Sequence, residues 1–401
     1  MRHMLVSDLF FVVVMLFGLV LSLSSVSWLL VWVGMEVSLI GFIPVICGNS
    51  VFGRGGTGAS ESAMKYFVVQ AIGSSLVLVG SFAVFSVSKM WDCGVLGNSM
   101  LYLVYLGPLL VVFGFGVKLG VFPFHFWVPS VMSGMGWFGC LVLAGLQKLV
   151  PVVFLCVVVL LWTEDLIVKV LMVMSVGSSI IGGLGGINQT EVRAIMAYSS
   201  IGHMGWLLMC VCSGFMATIF YLLFYVVMSI GFFLVLWGLG CDSVGGLGVV
   251  DVGSGGFERL FVVGGILSYM GMPPFLGFGV KWFGMSCFVE SASFLGSVEC
   301  GAYMYFYFFL MFLGSLLSLS YYLMVFVALV MGFGGVFVKG GIGVVSYTHL
   351  RAHETDSYLV CRLLLEKKKG GVSWGSISAV SLMFMLSFLG GVMLIFSGIG
   401  V

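Results

Sequence analysis

The chain has 401 residues, 61% hydrophobic and 8% charged, with a formal net charge of +1 and a mean hydropathy of +1.24. Soluble globular chains carry about 25% charged residues, so this composition excludes an ordinary water-soluble enzyme, and the balanced charge implies no nucleic-acid partner. Apolar runs of about 20 residues follow one another from end to end, the pattern of an all-α polytopic membrane protein in a lipid bilayer.

Taken in order, hydropathy predicts about eleven transmembrane helices, at about 4–23, 26–47, 62–88, 101–121, 132–161, 166–187, 191–212, 216–239, 258–288, 303–331 and 377–397. Met1-Arg2-His3 before an apolar run has the look of a signal peptide, but no small-residue cleavage site follows, so it reads as the first span. The links are short and rich in Gly, Ser and Asp. Gly182, Gly183, Gly185 and Gly186 suit a helix C-terminus, and Asn188-Gln189-Thr190-Glu191 has the spacing of a capping box. Arg2, Arg54, Arg193, Arg259 and Lys339 fall in loops on the N-terminal side, and Lys89 and Lys169 on the other. The positive-inside rule then puts the N-terminus on the matrix or cytoplasmic side and, after eleven spans, the C-terminus opposite.

One phrase, GFGVK, occurs twice, at Gly114–Lys118 and at Gly277–Lys281, 163 residues apart. Both copies lie in apolar runs with proline close by, which suggests a duplicated unit with a use for each lysine. Proline inside a span frees the carbonyl four residues before it. Pro123 would free that of Leu119, Pro151 that of Gln147, and Pro273 with Pro274 those of Tyr269 and Met270. Freed groups in a bilayer must be satisfied by protein or by a wet cavity, and broken helices in two repeats are the usual build of ion-coupled transporters.

The ten cysteines show no metal-site spacing and sit singly in apolar runs, so neither disulfides nor a metal site is expected. Val, Gly, Phe, Leu and Trp abound while Pro, His, Thr and Gln are scarce, a skew toward G- and T-rich codons that suits an organellar genome. Ser346–Lys369 departs from both patterns: it is charged, and it holds two of the five histidines. It resembles the translation of a sequencing-adaptor tail, and no function is assigned to it. The organisation expected is therefore a first half over 1–161, a second over 162–331, a linking stretch over 332–376 and a last helix within 377–401.

With loop residues set aside, the ionisable groups left in or near the spans are Glu36, Lys65, Lys118, His125, Lys148, His203 and Lys281. A lysine at a helix centre costs roughly 2.5–3.5 kcal/mol on insertion scales and marks an ion or proton path by default. Burial disfavours an ammonium and a nearby carboxylate favours it, so lysines between these influences can load and unload protons. Moving one charge across 100 mV costs about 2.3 kcal/mol. The chain has no nucleotide loop, haem ligand set or iron–sulfur cysteine pattern to supply it, so the energy must come from an ion gradient or a partner protein.

MKYFVVQA at 64–71, VFPFHFWVP at 121–129, QKLVP at 147–151, NQT with Arg193 and AYSSIGHMGW at 188–206, and MPPFLGF with Lys281-Trp282 at 272–282 occur together in this order. In them the chain resembles the NADH dehydrogenase subunit 2 family, antiporter-like membrane subunits of animal mitochondrial respiratory complex I. The resemblance implies an eleven-span fold of two inverted five-helix repeats, spans one to five and six to ten, with spans four and nine equivalent. It implies a proton relay with Glu36 and Lys118 as the acid–lysine pair, Lys148 as the connecting lysine and Lys281 as the lysine of the second broken helix. His125, His203 and Lys65 would be auxiliary. It also implies no cofactor in this chain, with NADH, FMN, iron–sulfur clusters and ubiquinone in partner subunits, and other complex I membrane subunits as neighbours in the mitochondrial inner membrane. A free-standing cation/proton antiporter and a structural spacer with static buried charges are the alternatives.

Overall fold

The computed structural model describes residues 6–47, 57–93, 102–161, 165–240, 242–248, 256–273, 275–294 and 298–331. The expected last helix at 377–397, the 332–376 stretch and Ser346–Lys369 lie outside them. In order the helices are α1 (Val6–Ser24), α2 (Trp28–Cys47), α3 (Thr57–Ser88), α4 (Tyr102–Leu119), α5 (Trp127–Gly134), α6 (Trp137–Ala144), α7 (Leu146–Leu161), α8 (Asp165–Gly186), α9 (Val192–Ser213), α10 (Phe215–Leu239), α11 (Val244–Gly248), α12 (Gly256–Met270), α13 (Leu276–Phe294) and α14 (Val298–Met331). Among the described residues, seven helices, counting α6 and α7 as one, are long and apolar enough to cross a membrane, and α1, α4 and α12 hold shorter apolar segments.

The middle of the bundle is α9, whose residues from Val192 to Val211 are almost all buried; α5, α8, α10 and α13 pack around it. The outer helices show large apolar side chains, among them Phe10, Phe17, Phe67 and Phe82, as lipid requires. Neighbours approach closely through small residues: a Cβ on Gly18 would meet the backbone of Ser38, and one on Gly182 that of Gly202. Such contacts replace hydrophobic burial as the packing force where the solvent is itself apolar.

Two interruptions position the site. At the first, α4 ends at Leu119 and Gly120 turns left-handed (φ +68°). The Val121 N–H reaches back to Gly116 O at 3.2 Å, and the chain re-enters helix at Trp127. At the second, α12 ends at Met270 and Gly271 turns left-handed (φ +78°). The Met272 N–H reaches back to Leu267 O at 3.1 Å, and helix resumes at Leu276. Both are glycine C-caps with the six-to-one bond of a Schellman motif, and proline follows each (Pro123, Pro273) and keeps the helix from resuming at once.

Four expectations change. Residues 127–134 are the second arm of the fourth span, so the fifth begins at Trp137, not near 132. Pro151 lies inside α7 and does not break it; the interruption is at Gly145, where the Lys148 N–H turns back to Gly145 O at 3.3 Å. The Pro151 ring deprives one carbonyl, that of Gln147, and the helix continues through it to Leu161. Glu191, not Asn188, is the N-cap of α9, and its side chain makes no capping bond. The first N–H is taken instead by another loop, Val192 N–H to Asp242 O at 3.0 Å. Finally, Arg193 is not a loop cation. It is buried in the first turn of α9, ion-paired with Asp242, its guanidinium 4.7 Å over the Trp137 ring.

Candidate functional site

Lys118 occupies the last turn of α4 and is buried. Its Nζ meets Met35 Sδ of α2 at 3.6 Å. Glu36, the next residue, is partly buried, with Oε1 enclosed and without a hydrogen-bond partner. It lies within electrostatic reach of Lys118 and of Tyr66 but pairs directly with neither. The carbonyls at the end of α4 are capped by neutral donors: Gln70 Nε2 donates to Lys118 O at 3.3 Å and Trp127 Nε1 to Val117 O at 3.1 Å. The ammonium is thus released from capping duty.

Two small cavities flank Lys118, each with room for roughly one water. One is lined by Met35, Ser38, Tyr66, Gln70, Lys118 and Gln147. The other shares Tyr66, Gln70, Lys118 and Gln147 and adds Lys148 and Ser200. Lys148, carried past the Gly145 interruption, is buried with its Nζ unpartnered among the described residues. The Gln147 Nε2 is in the same condition. Polar groups of this kind around a small cavity suit a bound water that takes two to four hydrogen bonds.

From Lys148 the polar line continues through aromatic rings. Its Nζ sits 5.5 Å from the centroid of Tyr225, and that ring is 5.4 Å from the ring of His203. The His203 Nδ1 and the Tyr221 hydroxyl are 3.0 Å apart, and the imidazole also hydrogen-bonds the backbone of Tyr269. Lys281, partly buried in α13, folds back across the second interruption. Its Nζ donates to Tyr269 O at 3.3 Å and Met270 O at 3.2 Å, the two carbonyls that the Pro273-Pro274 reading leaves open. His203 lies within electrostatic reach of both Lys148 and Lys281. A third cavity holds His203, Tyr269 and Lys281 together with residues of α14.

The structure therefore brings Glu36, Lys118, Lys148, His203 and Lys281 into one buried line. Two expected members fall outside it. Lys65 is exposed on α3 and paired one turn away with Glu61 at 2.6 Å; an exposed partner in water satisfies it. His125 is buried in the first interruption, its ring tilted against Phe126 at 4.0 Å, its Nδ1 without a partner among the described residues, and it lines neither cavity beside Lys118. The turn at Gly120 carries it off the face that an unbroken helix would share with Lys118. Tyr66, Gln70, Tyr225 and Tyr269 were not foreseen. One signal was available: the chain holds three glutamines, and Gln70 and Gln147 are two of them.

A bundle of this kind, with paired helix interruptions and a mid-bundle line of lysines, defines an antiporter-like membrane fold. The family model described as NADH:quinone oxidoreductase/Mrp antiporter, transmembrane, matches residues 25–306. NADH-ubiquinone oxidoreductase chain 2 of Anopheles gambiae is 33% identical over 281 residues, 69% of this chain and 75% of that protein. The protein of the same name from Sus scrofa is 33% identical over 265 residues, 66% and 72%. Among solved structures, a chain of respiratory complex I from Thermus thermophilus superposes with a TM-score of 0.73 at 21% identity, covering 98% of this chain and 79% of that one. A chain of the Mrp complex from Dietzia sp. DQ12-45-1b gives 0.68 at 20%, covering 79% and 59%. The chain belongs to the NADH:quinone oxidoreductase/Mrp antiporter membrane-subunit family, and it is a multi-pass membrane protein.

Proposed function

We propose that this chain is a proton-translocating membrane subunit of an NADH:ubiquinone oxidoreductase in the mitochondrial inner membrane, its N-terminus on the matrix side. Protons move along Glu36, Lys118, Lys148, His203 and Lys281, with water in the flanking cavities bridging the lysines. The NADH, flavin, iron–sulfur and quinone chemistry belongs to partner subunits, and their charge changes drive the line. The carrying observation is Lys148: a buried side chain whose Nζ has no hydrogen-bond partner among the described residues, placed between a cavity shared with Lys118 and a tyrosine ring in contact with His203. A static structural charge would have been given a counter-ion, since breaking or omitting a buried pair costs about 3–5 kcal/mol. In assembled membranes, Lys148→Met should leave electron entry intact and lower proton translocation per electron. Unchanged stoichiometry with normal assembly would overturn the reading.

The likeness to an Mrp chain supports a second reading, a cation/proton antiporter that works without a redox partner. Solubilising the membrane and asking whether the chain travels with NADH-oxidising subunits separates the two.

A further inference from the structure

Beyond the lysine line, one cavity has a wall that no step above uses. One wall of the space that holds Lys281 and His203 is formed by α14, through Gly314, Ser315, Ser318, Tyr321 and Tyr322. Most of α14 lies beyond residue 306, where the family match ends. Its side of the cavity is lined with hydroxyls rather than methyls. Tyr322 is buried, stacks with Tyr269 at 6.4 Å and faces Ser199 of α9. Ser199 lies one turn before His203 on the same face of α9. Tyr321 packs on Tyr322 at 4.5 Å; it is 1% exposed, and its side chain lies within reach of Tyr322 and Ser318.

The direction of this hydroxyl line follows from packing. Along α8 and α14, Ser179 meets Gly314, Gly183 meets Leu317, and Gly186 meets Tyr321, so the two helices run parallel. Gly186 ends α8 at the membrane face that carries the 187–191 loop. Tyr321 and Tyr322 therefore stand at the level of Gly186, at the end of the Lys281 cavity nearest that face.

We propose, on the proton-relay reading given above, that α14 supplies a proton branch between Lys281 and the face of the 187–191 loop. Tyr322 with Ser199 and Tyr321 with Ser318 form its two hydroxyl steps, both on the cavity wall. A proton arriving at the Tyr321 oxygen releases that residue's own proton to the next hydroxyl or bridging water. The sequence ends with the neutral Lys281 amine becoming an ammonium, so each hydroxyl is restored and no group is oxidised or reduced.

The test uses sealed vesicles of the assembled complex in its own membrane. Tyr322→Phe and the Tyr321→Phe/Tyr322→Phe pair keep ring packing and remove only hydroxyls. Proton translocation at fixed electron flux should fall about fivefold, near 1 kcal/mol on the limiting barrier, with a larger solvent deuterium isotope effect and normal assembly. Lys281→Met is measured alongside. If it abolishes translocation while the tyrosine pair translocates at the full rate, the branch is overturned and the lysine reading stands. If Lys281→Met translocates normally, both fall. Should the tyrosine variants fail to assemble, Ser199→Ala/Ser318→Ala carries the same readout, and an unchanged rate and isotope effect overturns the branch.

Discussion

The two interruptions solve one local problem differently. Each ends a half-helix with a left-handed glycine and a backward bond, and each has a lysine from the repeated GFGVK phrase. The first copy precedes its break and the second follows it, so the chain does not simply repeat. In the first half the exposed carbonyls are capped by neutral donors, the amide of Gln70 and the indole of Trp127, and the Lys118 ammonium faces Met35 and Glu36 instead. In the second half the ammonium of Lys281 is itself the cap, on Tyr269 and Met270. A cation at the carbonyl end of a helix is favoured by the helix dipole. The lesson is that the Lys281 ammonium is itself the cap of its broken helix, while at the first break Gln70 and Trp127 do the capping and leave the Lys118 ammonium out of it.

The largest effect separating the halves should come from Lys281→Met. It takes the Nζ donor from Tyr269 O, which keeps its bond to His203, and from Met270 O, at about 1–3 kcal/mol for the latter, so the assembled protein should lose thermal stability and proton translocation together. Lys281→Arg, which keeps a fixed charge and its donors, should recover most of the stability but not the translocation. Lys118→Met should show the complementary pattern, with translocation lost and the thermal midpoint nearly unchanged. Equal destabilisation by the two methionine variants, read from melting of the purified complex, would erase the distinction. The glycines give the next comparison. A side chain at φ near +60° costs about 1–2 kcal/mol, but a Cβ on Gly120 would also meet Val128 Cγ2 at 2.2 Å, while one on Gly271 meets Lys281 Cδ at 3.1 Å. Gly120→Ala should therefore destabilise more than Gly271→Ala, and the latter should act mainly by displacing Lys281.

Much of this was legible in the residues. Apolar runs and scarce charges identify a membrane bundle, because only helices or closed barrels satisfy the backbone in lipid. Mid-span lysines stand out because each is costly there. Proline located two breaks well but misled at Pro151, where one missing N–H near the start of α7 does not end the helix. The auxiliary roles implied for His125 and Lys65 could not be checked in the sequence, because the placement of His125 depends on a turn at Gly120 and no local pattern reveals the exposure of Lys65. The tyrosines around His203 were hidden by composition: in a chain with 14 tyrosines and 37 phenylalanines, ring residues read as packing until tertiary structure shows which hydroxyls meet.

The smallest expected effect tests the division of labour most directly. Gln70→Leu removes the neutral cap from Lys118 O and one amide from both cavities beside that lysine, yet deletes no charge. If capping were all that Gln70 does, the result would be a stability loss of about 1–2 kcal/mol with translocation unaltered. If the amide frees Lys118 to carry protons, the ammonium should instead turn back to its own helix end, as Lys281 does. Translocation would then fall about twofold to threefold while stability is partly restored. Gln70→Asn, with the same amide on a shorter arm, should fail in the same way. Trp127→Phe, which uncaps Val117 O at the same helix end but touches only one of the two cavities, should cost stability without changing the proton count.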